Sequence, residues 1–245
     1  MIRIWSMTDA GLVRKENQDY FGLLECRETG YTVCVVCDGM GGPAGGKQAS
    51  HIAVDTYLTE IENVLRESMT PEQLREAASY AVSLANKAVW EAAGTSEKFA
   101  NMGTTLVSAV IHGETAVLVN VGDSRAYHVT NESIHRITRD HSWVESMVEH
   151  GKITEEEARR HPNRNLITRA LGPESSVECD GYICTLTAGE SLLLCTDGLV
   201  NTVTDEEMLR EVNCEDKDTC MNRLLTISKS RGARDNVTAV LVRNL

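Results

Sequence analysis

The chain has 245 residues, 42% of them hydrophobic, and its 24 basic against 36 acidic side chains leave a formal charge of −12. That length and apolar content suit a folded domain with an ample core and exclude a disordered chain, while the acidity argues against non-specific nucleic-acid binding, which needs excess lysine and arginine. No apolar run approaches the roughly 20 residues that cross a bilayer, and residues 1–6 lack a long apolar stretch with a cleavage site, so a cytoplasmic protein without a signal peptide or membrane partner is expected.

In chain order, the first clear element is the continuous apolar run 31–37, as expected for a strand covered on both faces. Two amphipathic stripes follow. Ala49, Ile52, Ala53, Thr56, Tyr57, Ile61 and Leu65 form one, and Leu74, Ala77, Ala78, Ala81, Ala85, Ala88 and Val89 the other. Both predict long helices, with Pro71 in the first turn of the second. Residues 104–111, 115–121 and 125–129 read as strands in close succession, punctuated by Gly113 and by Gly122-Asp123. Thr154 with Glu157, and Thr204 with Glu207, have the spacing of capping boxes and mark short helices. Residues 191–196 and 237–242 are further buried strands, the last preceded by a helix from about residue 219 to residue 230.

Strict strand–helix alternation is absent. Packed antiparallel sheets with helices outside are therefore favoured over an open parallel sheet, which makes the chain α+β with a central β-sandwich. No repeat, low-complexity run or linker divides residues 1–245, so one domain is predicted. Eight cysteines do not imply a disulfide framework in a chain of this size. Cys34, Cys37, Cys184 and Cys195 sit in apolar runs, where a thiol acts as a small hydrophobe. Cys34 and Cys37 form a CxxC without a second pair at zinc-ribbon spacing, and on a strand they face opposite sides.

The informative feature is aspartate at the ends of apolar strands. Asp38 ends the first run, Asp197 ends 192–196, Asp123 follows 117–122, and Asp235 precedes the final strand; Asp19 follows the polar stretch 14–18. One Asp-Gly pair, such as Asp38-Gly39 or Asp197-Gly198, reads as a turn. A set of strand-terminal aspartates reads differently. Converging carboxylates repel unless a cation neutralises them, and an all-oxygen set suits Mg²⁺ or Mn²⁺. Two such ions bridged by a carboxylate activate water as a nucleophile near neutral pH and offset the charge of an anionic substrate. Arg14 adds a planar fork suited to phosphate oxygens.

These residues stand in segments that resemble a known family. Residues 11–19 (GLVRKENQD), 36–42 (VCDGMGG) with Ala49-Ser50, 102–105 (MGTT), 120–127 (NVGDSRAY), 138–142 (TRDHS), 166–172 (LITRALG), 195–199 (CTDGL) and 235–238 (DNVT) resemble, in order, the motifs of the PP2C-type (PPM) metal-dependent protein Ser/Thr phosphatases. The compact length is similar to that of bacterial members that partner Ser/Thr kinases.

The resemblance implies a four-layer αββα sandwich with a binuclear Mn²⁺ or Mg²⁺ centre at one end. Asp38 would bridge both ions, the Gly39 carbonyl would bind the first, and Asp197 and Asp235 the second. Asp19 would act in the outer shell, and Asp123 would join Asp197 at a third, weaker ion. Arg14 would hold the substrate phosphate, and residues 142–165 fall where the family has a flap. The implied partners are phosphoproteins, including a Ser/Thr kinase and its substrates, met by a monomer.

Three positions depart from the pattern. Met40 stands where some members carry a histidine proposed as general acid, and Pro43 where many bacterial members carry histidine. Leaving-group protonation then falls to water. Gln18 replaces a frequent glutamate.

Rival readings are weaker. Residues 41–47 satisfy the phosphate-loop pattern GxxxxGK, but Gln48 follows where a magnesium-binding Ser or Thr is required. Ser124 and His141 lack a GxSxG context, and no histidine follows His161, which disfavours a serine hydrolase. A non-catalytic relative would be expected to lack metal aspartates that are present here. A stress-response phosphatase would be expected beside a sensor domain.

Overall fold

The computed structural model describes residues 1–245 apart from Pro43, Ala44 and Asp218. Three strands, β1 (Ile2–Asp9), β2 (Asp19–Cys26) and β3 (Tyr31–Met40), lead into two 23-residue helices, α1 (Gly42–Val64) and α2 (Pro71–Ala93). A 3₁₀ turn at Glu97–Phe99 precedes β4 (Gly103–Thr104), β5 (Leu106–His112), β6 (Thr115–Val121), β7 (Arg125–Val129) and β8 (Ile134–Arg136). Two short helices, α3 (Trp143–Glu149) and α4 (Glu155–Arg160), occupy the segment that resembles the flap. The chain ends with β9 (Asp180–Thr185), β10 (Ser191–Cys195), α5 (Asp197–Val200), α6 (Asp205–Val212), α7 (Lys217–Ser230) and β11 (Val237–Asn244).

The strands form two sheets, in the orders β1-β11-β10-β7-β8 and β2-β3-β5-β6-β9, with β4 paired to β3. Every pairing is antiparallel. Three buried layers follow from the period of two along each strand. Between the sheets lie Val36, Val107, Leu118, Leu192, Leu194 and Val240. The outer face of the second sheet packs Val33, Val35 and Val117 against Tyr57 and Ile61 of α1 and Val82 and Val89 of α2. The outer face of the first packs Leu193 and Leu241 against Leu199, Met208 and Leu224 of α5, α6 and α7. Cys34 lies between the sheets and Cys37 in the helix-facing layer, so the CxxC spans two faces; all eight cysteines are free thiols.

Local chemistry explains the helix ends. Thr70, Thr154 and Thr204 each accept at the side chain from the backbone N–H three residues on and donate their own backbone N–H to the side-chain oxygen of Gln73, Glu157 and Glu207, completing three capping boxes. Helix α1 starts at Gly42, seven residues before its apolar stripe, and its Gly46 lies close against the end of β3. A side chain at Gly39 would run into the Gly46 carbonyl. The phosphate-loop residues 41–47 therefore join an antiparallel sheet rather than the parallel one such a loop requires; Pro43 and Ala44 of that pattern lie outside the described residues. No described helix is long and apolar enough to cross a membrane.

Candidate active site and metal centre

The alternation that builds the inter-sheet core also aims carboxylates at its open end. On β3, Cys34 and Val36 point between the sheets, and Asp38 continues that face. On β2, Phe21 packs on the same core and Asp19 follows its parity, directly opposite Asp38 in the register. Like charges at such a cross-strand pair are destabilising. From the other sheet, Asp197 opens α5 just beyond β10, and Asp235 stands two residues before β11, which pairs with β10. Asp123 follows β6 at the turn into β7. One cleft is lined by Arg14, Asp38, Gly39, Asp123, Asp197 and Asp235, and Asp19 is buried beneath it at 4% exposure.

The backbone holds this end in place independently of the carboxylates. Thr105 Oγ1 accepts from Asp38 N–H at 2.9 Å, and Thr104 Oγ1 donates to the Asp38 carbonyl at 2.8 Å. Thr196 Oγ1 donates to Asp19 Oδ2 at 2.9 Å. Asn236 pins the polar stretch 10–18: its Nδ2 donates to Ala10 O and Glu16 O, each at 3.0 Å, and its Oδ1 accepts from Gln18 N–H at 2.9 Å. Arg14 is thereby brought to Asp235, with Nη2 donating to Oδ2 at 2.8 Å. Gln18 turns its amide to the Gly42 carbonyl at 2.8 Å. Thr196 and Asn236 do not stand out as site residues in the sequence; a buried polar side chain interrupting or adjoining an apolar strand is the signal that marks them.

The electrostatics show what the cluster lacks. Burial pushes Asp19 up to about 7, and the charges of Asp197 and Asp235 add to it against hydrogen bonds from Thr238 and Thr196. Burial and then Asp235 raise Asp197 to about 6, although Asp38 and Asn201 hydrogen-bond it. Asp38 and Asp123 are each held well above the usual carboxylate range by burial, the first also by Asp19 and Asp197, the second also by Asp197 and Asp140. Arg14 is raised, first by its bond to Asp235. Asp19 Oδ1 and Asp197 Oδ1 are buried with no hydrogen-bond partner. Orphaned carboxylate oxygens among raised carboxyls fit hard divalent cations. Among the described residues no three Asp, Glu, His or Cys side chains close a cage around one ion. An open set of this kind suits ions that keep several waters and draw their remaining ligands from carboxylates and a backbone carbonyl, as Mg²⁺ does.

The rival nucleophile is otherwise engaged. Ser124 Oγ shares a 2.7 Å hydrogen bond with Thr105 Oγ1, and His141 Nδ1 accepts from Gly122 N–H.

Such a sandwich, ending in a carboxylate cleft, defines a metal-dependent phosphatase, and comparison with known proteins agrees. Residues 13–241 match the model of the family described as protein phosphatase 2C. The chain is 36% identical over 242 residues to the serine/threonine phosphatase stp of Listeria innocua, covering 97% of this chain and 94% of that one. It is 32% identical over 239 residues to the protein phosphatase PhpP of Streptococcus pneumoniae, covering 96% and 95%. Among solved structures, the serine/threonine phosphatase Stp1 of Staphylococcus aureus superposes with a TM-score of 0.93 at 33% identity, covering 100% of this chain and 96% of that one. The catalytic domain of the phosphatase PstP, in complex with two manganese ions, superposes at 0.84 with 30% identity, covering 99% and 97%. The chain belongs to the protein phosphatase 2C family: it is a protein phosphatase whose substrates are phosphoproteins, in a family that depends on divalent metal.

Proposed function

We propose that this phosphatase hydrolyses phosphoserine and phosphothreonine in proteins with two divalent cations, Mn²⁺ or Mg²⁺, and that residues 1–245 act as one catalytic domain. The observation that carries the reading is the convergence of Asp38, Asp197 and Asp235, from both sheets, on one cleft beside Arg14, with Asp19 buried beneath it. Asp38, lying between Asp19 and Asp197, would bridge the two ions. The Gly39 carbonyl would serve the first, Asp197 and Asp235 the second, and the buried Asp19 the outer shell. Asp123, which feels the charge of Asp197, would join it in holding a third and weaker ion. The chemistry those ions supply when bound is a nucleophilic water at neutral pH and neutralisation of phosphoryl charge.

The chain's own residues do the rest. Arg14 is 53% exposed and spends one of its five N–H donors on Asp235. The others can fork onto phosphoryl oxygens, fixing phosphorus for in-line attack. Met40 follows Asp38-Gly39 and carries no proton, so the departing alkoxide takes its proton from water in the open cleft. A protein Ser/Thr kinase must supply such substrates, which makes it the opposing enzyme. The eight free thiols support a reducing, cytoplasmic setting, where the chain would act as a monomer.

Phosphopeptides assayed with Mn²⁺, with Mg²⁺ and with EDTA test the reading. Phosphoserine and phosphothreonine hydrolysis is expected with either metal and none with EDTA; undiminished hydrolysis in EDTA would overturn it. Arg14→Ala removes a charge-assisted contact of about 1.5–3 kcal/mol. It is expected to lower kcat/KM by roughly ten- to a hundredfold, mostly through KM, in steady-state assays on the same peptides.

A further inference from the structure

The turn Gly122-Asp123 carries Asp123 into the cleft, and one residue grips its peptide twice. Gly122 N–H donates to His141 Nδ1 at 3.0 Å, and His141 N–H donates to the Gly122 carbonyl at 2.9 Å. Gly122 has φ +104°, and a side chain there would also strike Thr105, so the turn is held by groups other than its own side chain. Asn120 Nδ2 adds bonds to Gly122 O at 3.2 Å and to Arg139 O at 3.0 Å.

The proton on the ring can be placed. A backbone N–H only donates, so Nδ1 is the unprotonated nitrogen and the neutral ring carries its proton on Nε2. Nε2 lies 3.2 Å from Asp180 Oδ2 and 3.1 Å from Arg169 Nη1; with Nδ1 already accepting from Gly122, Nε2 donates to Asp180, and the guanidinium at its side is turned to the same carboxylate. Arg169 Nη1 donates to Asp180 Oδ1 at 2.7 Å and fixes that carboxylate. Burial holds His141 below its ordinary pKa against the pull of Asp180, which keeps the ring neutral. His141 is 7% exposed, and both ring nitrogens face protein groups.

The same residue closes the base of the segment that contains α3 and α4. Thr168 N–H donates to the His141 carbonyl at 2.8 Å, Ser142 pairs with Ile167, and Arg169 comes next in the chain. We propose that His141 is a positioning residue for Asp123, locking the Gly122-Asp123 turn and tying it, through Asp180 and Arg169, to the base of the 142–167 segment. The proposal rests on the reading of Asp123 as a contributor to a third, weaker cation.

Calorimetric titration of the full chain with Mn²⁺ tests it. His141→Phe keeps the ring's bulk and removes the acceptor. It is expected to weaken the weakest binding event by about ten- to a hundredfold, the usual cost of a lost supporting contact, and to leave the tighter events unchanged. His141→Asn can return an oxygen to the place of Nδ1 and should retain most of the affinity, whereas His141→Gln reaches the place of Nε2 and should not. That pair decides the matter if the Phe variant fails to fold. Independently, nitrogen-15 spectra of the imidazole in EDTA are expected to show Nδ1 bare and Nε2 protonated at neutral pH. Parent-like Mn²⁺ binding by His141→Gln, or the opposite tautomer, overturns the positioning role. Asp123→Ala separates the two ideas. If that variant also binds Mn²⁺ like the parent, the reading of Asp123 falls and the inference with it. If it loses the weak event while the His141→Phe and His141→Gln proteins keep it, the positioning role alone falls.

Discussion

Replacing Asp38 with asparagine is expected to lower phosphopeptide turnover in Mn²⁺ by about a thousandfold or more, and at the same time to raise the melting temperature measured in EDTA. The first effect follows from the proposed bridge. A carboxylate shared by two ions cannot be replaced by a neutral amide without weakening both, and metal chemistry worth several kcal/mol of barrier is lost at about 1.4 kcal/mol per factor of ten. The second follows from the fold. Asp38 stands opposite Asp19 in the register and against Asp197, and burial together with those neighbours raises its pKa. Its backbone position is held by Thr104 and Thr105 rather than by its own carboxyl, so the amide inherits the geometry without the repulsion. Relief of about 1–3 kcal/mol at a buried like-charge site corresponds to roughly 2–4 °C per kcal/mol in a chain of this size. Circular dichroism melts and a phosphopeptide assay on the same preparation check both. An active Asp38→Asn enzyme would remove Asp38 from the metal centre; an inactive one that melts lower in EDTA would show that the carboxylates do not strain the metal-free fold.

What could be read from the chain divides along a physical line. Of the strands with both neighbours in their sheet, β3, β5, β6, β10 and β11 announce themselves as largely apolar runs because both faces are covered, while β7 (RAYHV) is read from its place after the Gly122-Asp123 turn. The four strands left unread, β1, β2, β8 and β9, are the four sheet edges. Their sequences, such as IRIWSMTD in β1 and DGYICT in β9, mix exposed and half-buried positions and lose the run. Helices with capping boxes are legible at Thr154 and Thr204, while α3, seven residues long, has a serine cap without the reciprocal bond and leaves no such mark. The site follows the same logic. Aspartates at the ends of apolar strands are visible as a set because a carboxylate at such a place is costly without a cation. The residues that hold the site together, Thr196, Asn236 and His141, act through hydrogen bonds between segments more than a dozen residues apart. Spacing along the chain does not encode those contacts, and the early start of α1 at Gly42 likewise lies ahead of the apolar stripe from which the helix is read.

The pH dependence of the metal-free protein should run opposite to that of an ordinary acidic enzyme. Asp19 at about 7 and Asp197 at about 6 stand above the usual carboxylate value, as do Asp38 and Asp123. Between about pH 4 and pH 7 the folded chain therefore holds protons that the unfolded chain has released. Unfolding free energy must then fall as pH rises through that window. A carboxyl that titrates one pH unit higher in the folded chain than in the unfolded one forfeits about 1.4 kcal/mol, so the fall should amount to several kcal/mol. Two groups pull the other way: His141 and His51 are held below their ordinary value, chiefly by burial, and stabilise as they deprotonate. Four raised carboxyls against two lowered imidazoles leave the carboxyls in control. Groups held low by partners, such as Asp9 and Asp180, act only below about pH 4. In EDTA the melting temperature should thus decline from about pH 5 to about pH 8. Divalent metal is expected to reverse the trend, because the carboxyls proposed to hold it must release their protons before they can ligate. With saturating Mn²⁺ the melting temperature should rise over that range, and calorimetry at about pH 6 in buffers of different ionisation enthalpy should register proton release on Mn²⁺ binding. A melting temperature in EDTA that climbs steadily across the same range would mean that these carboxyls are already ionised and solvated in the free protein. The electrostatic case for a cation between the two sheets would lose its foundation.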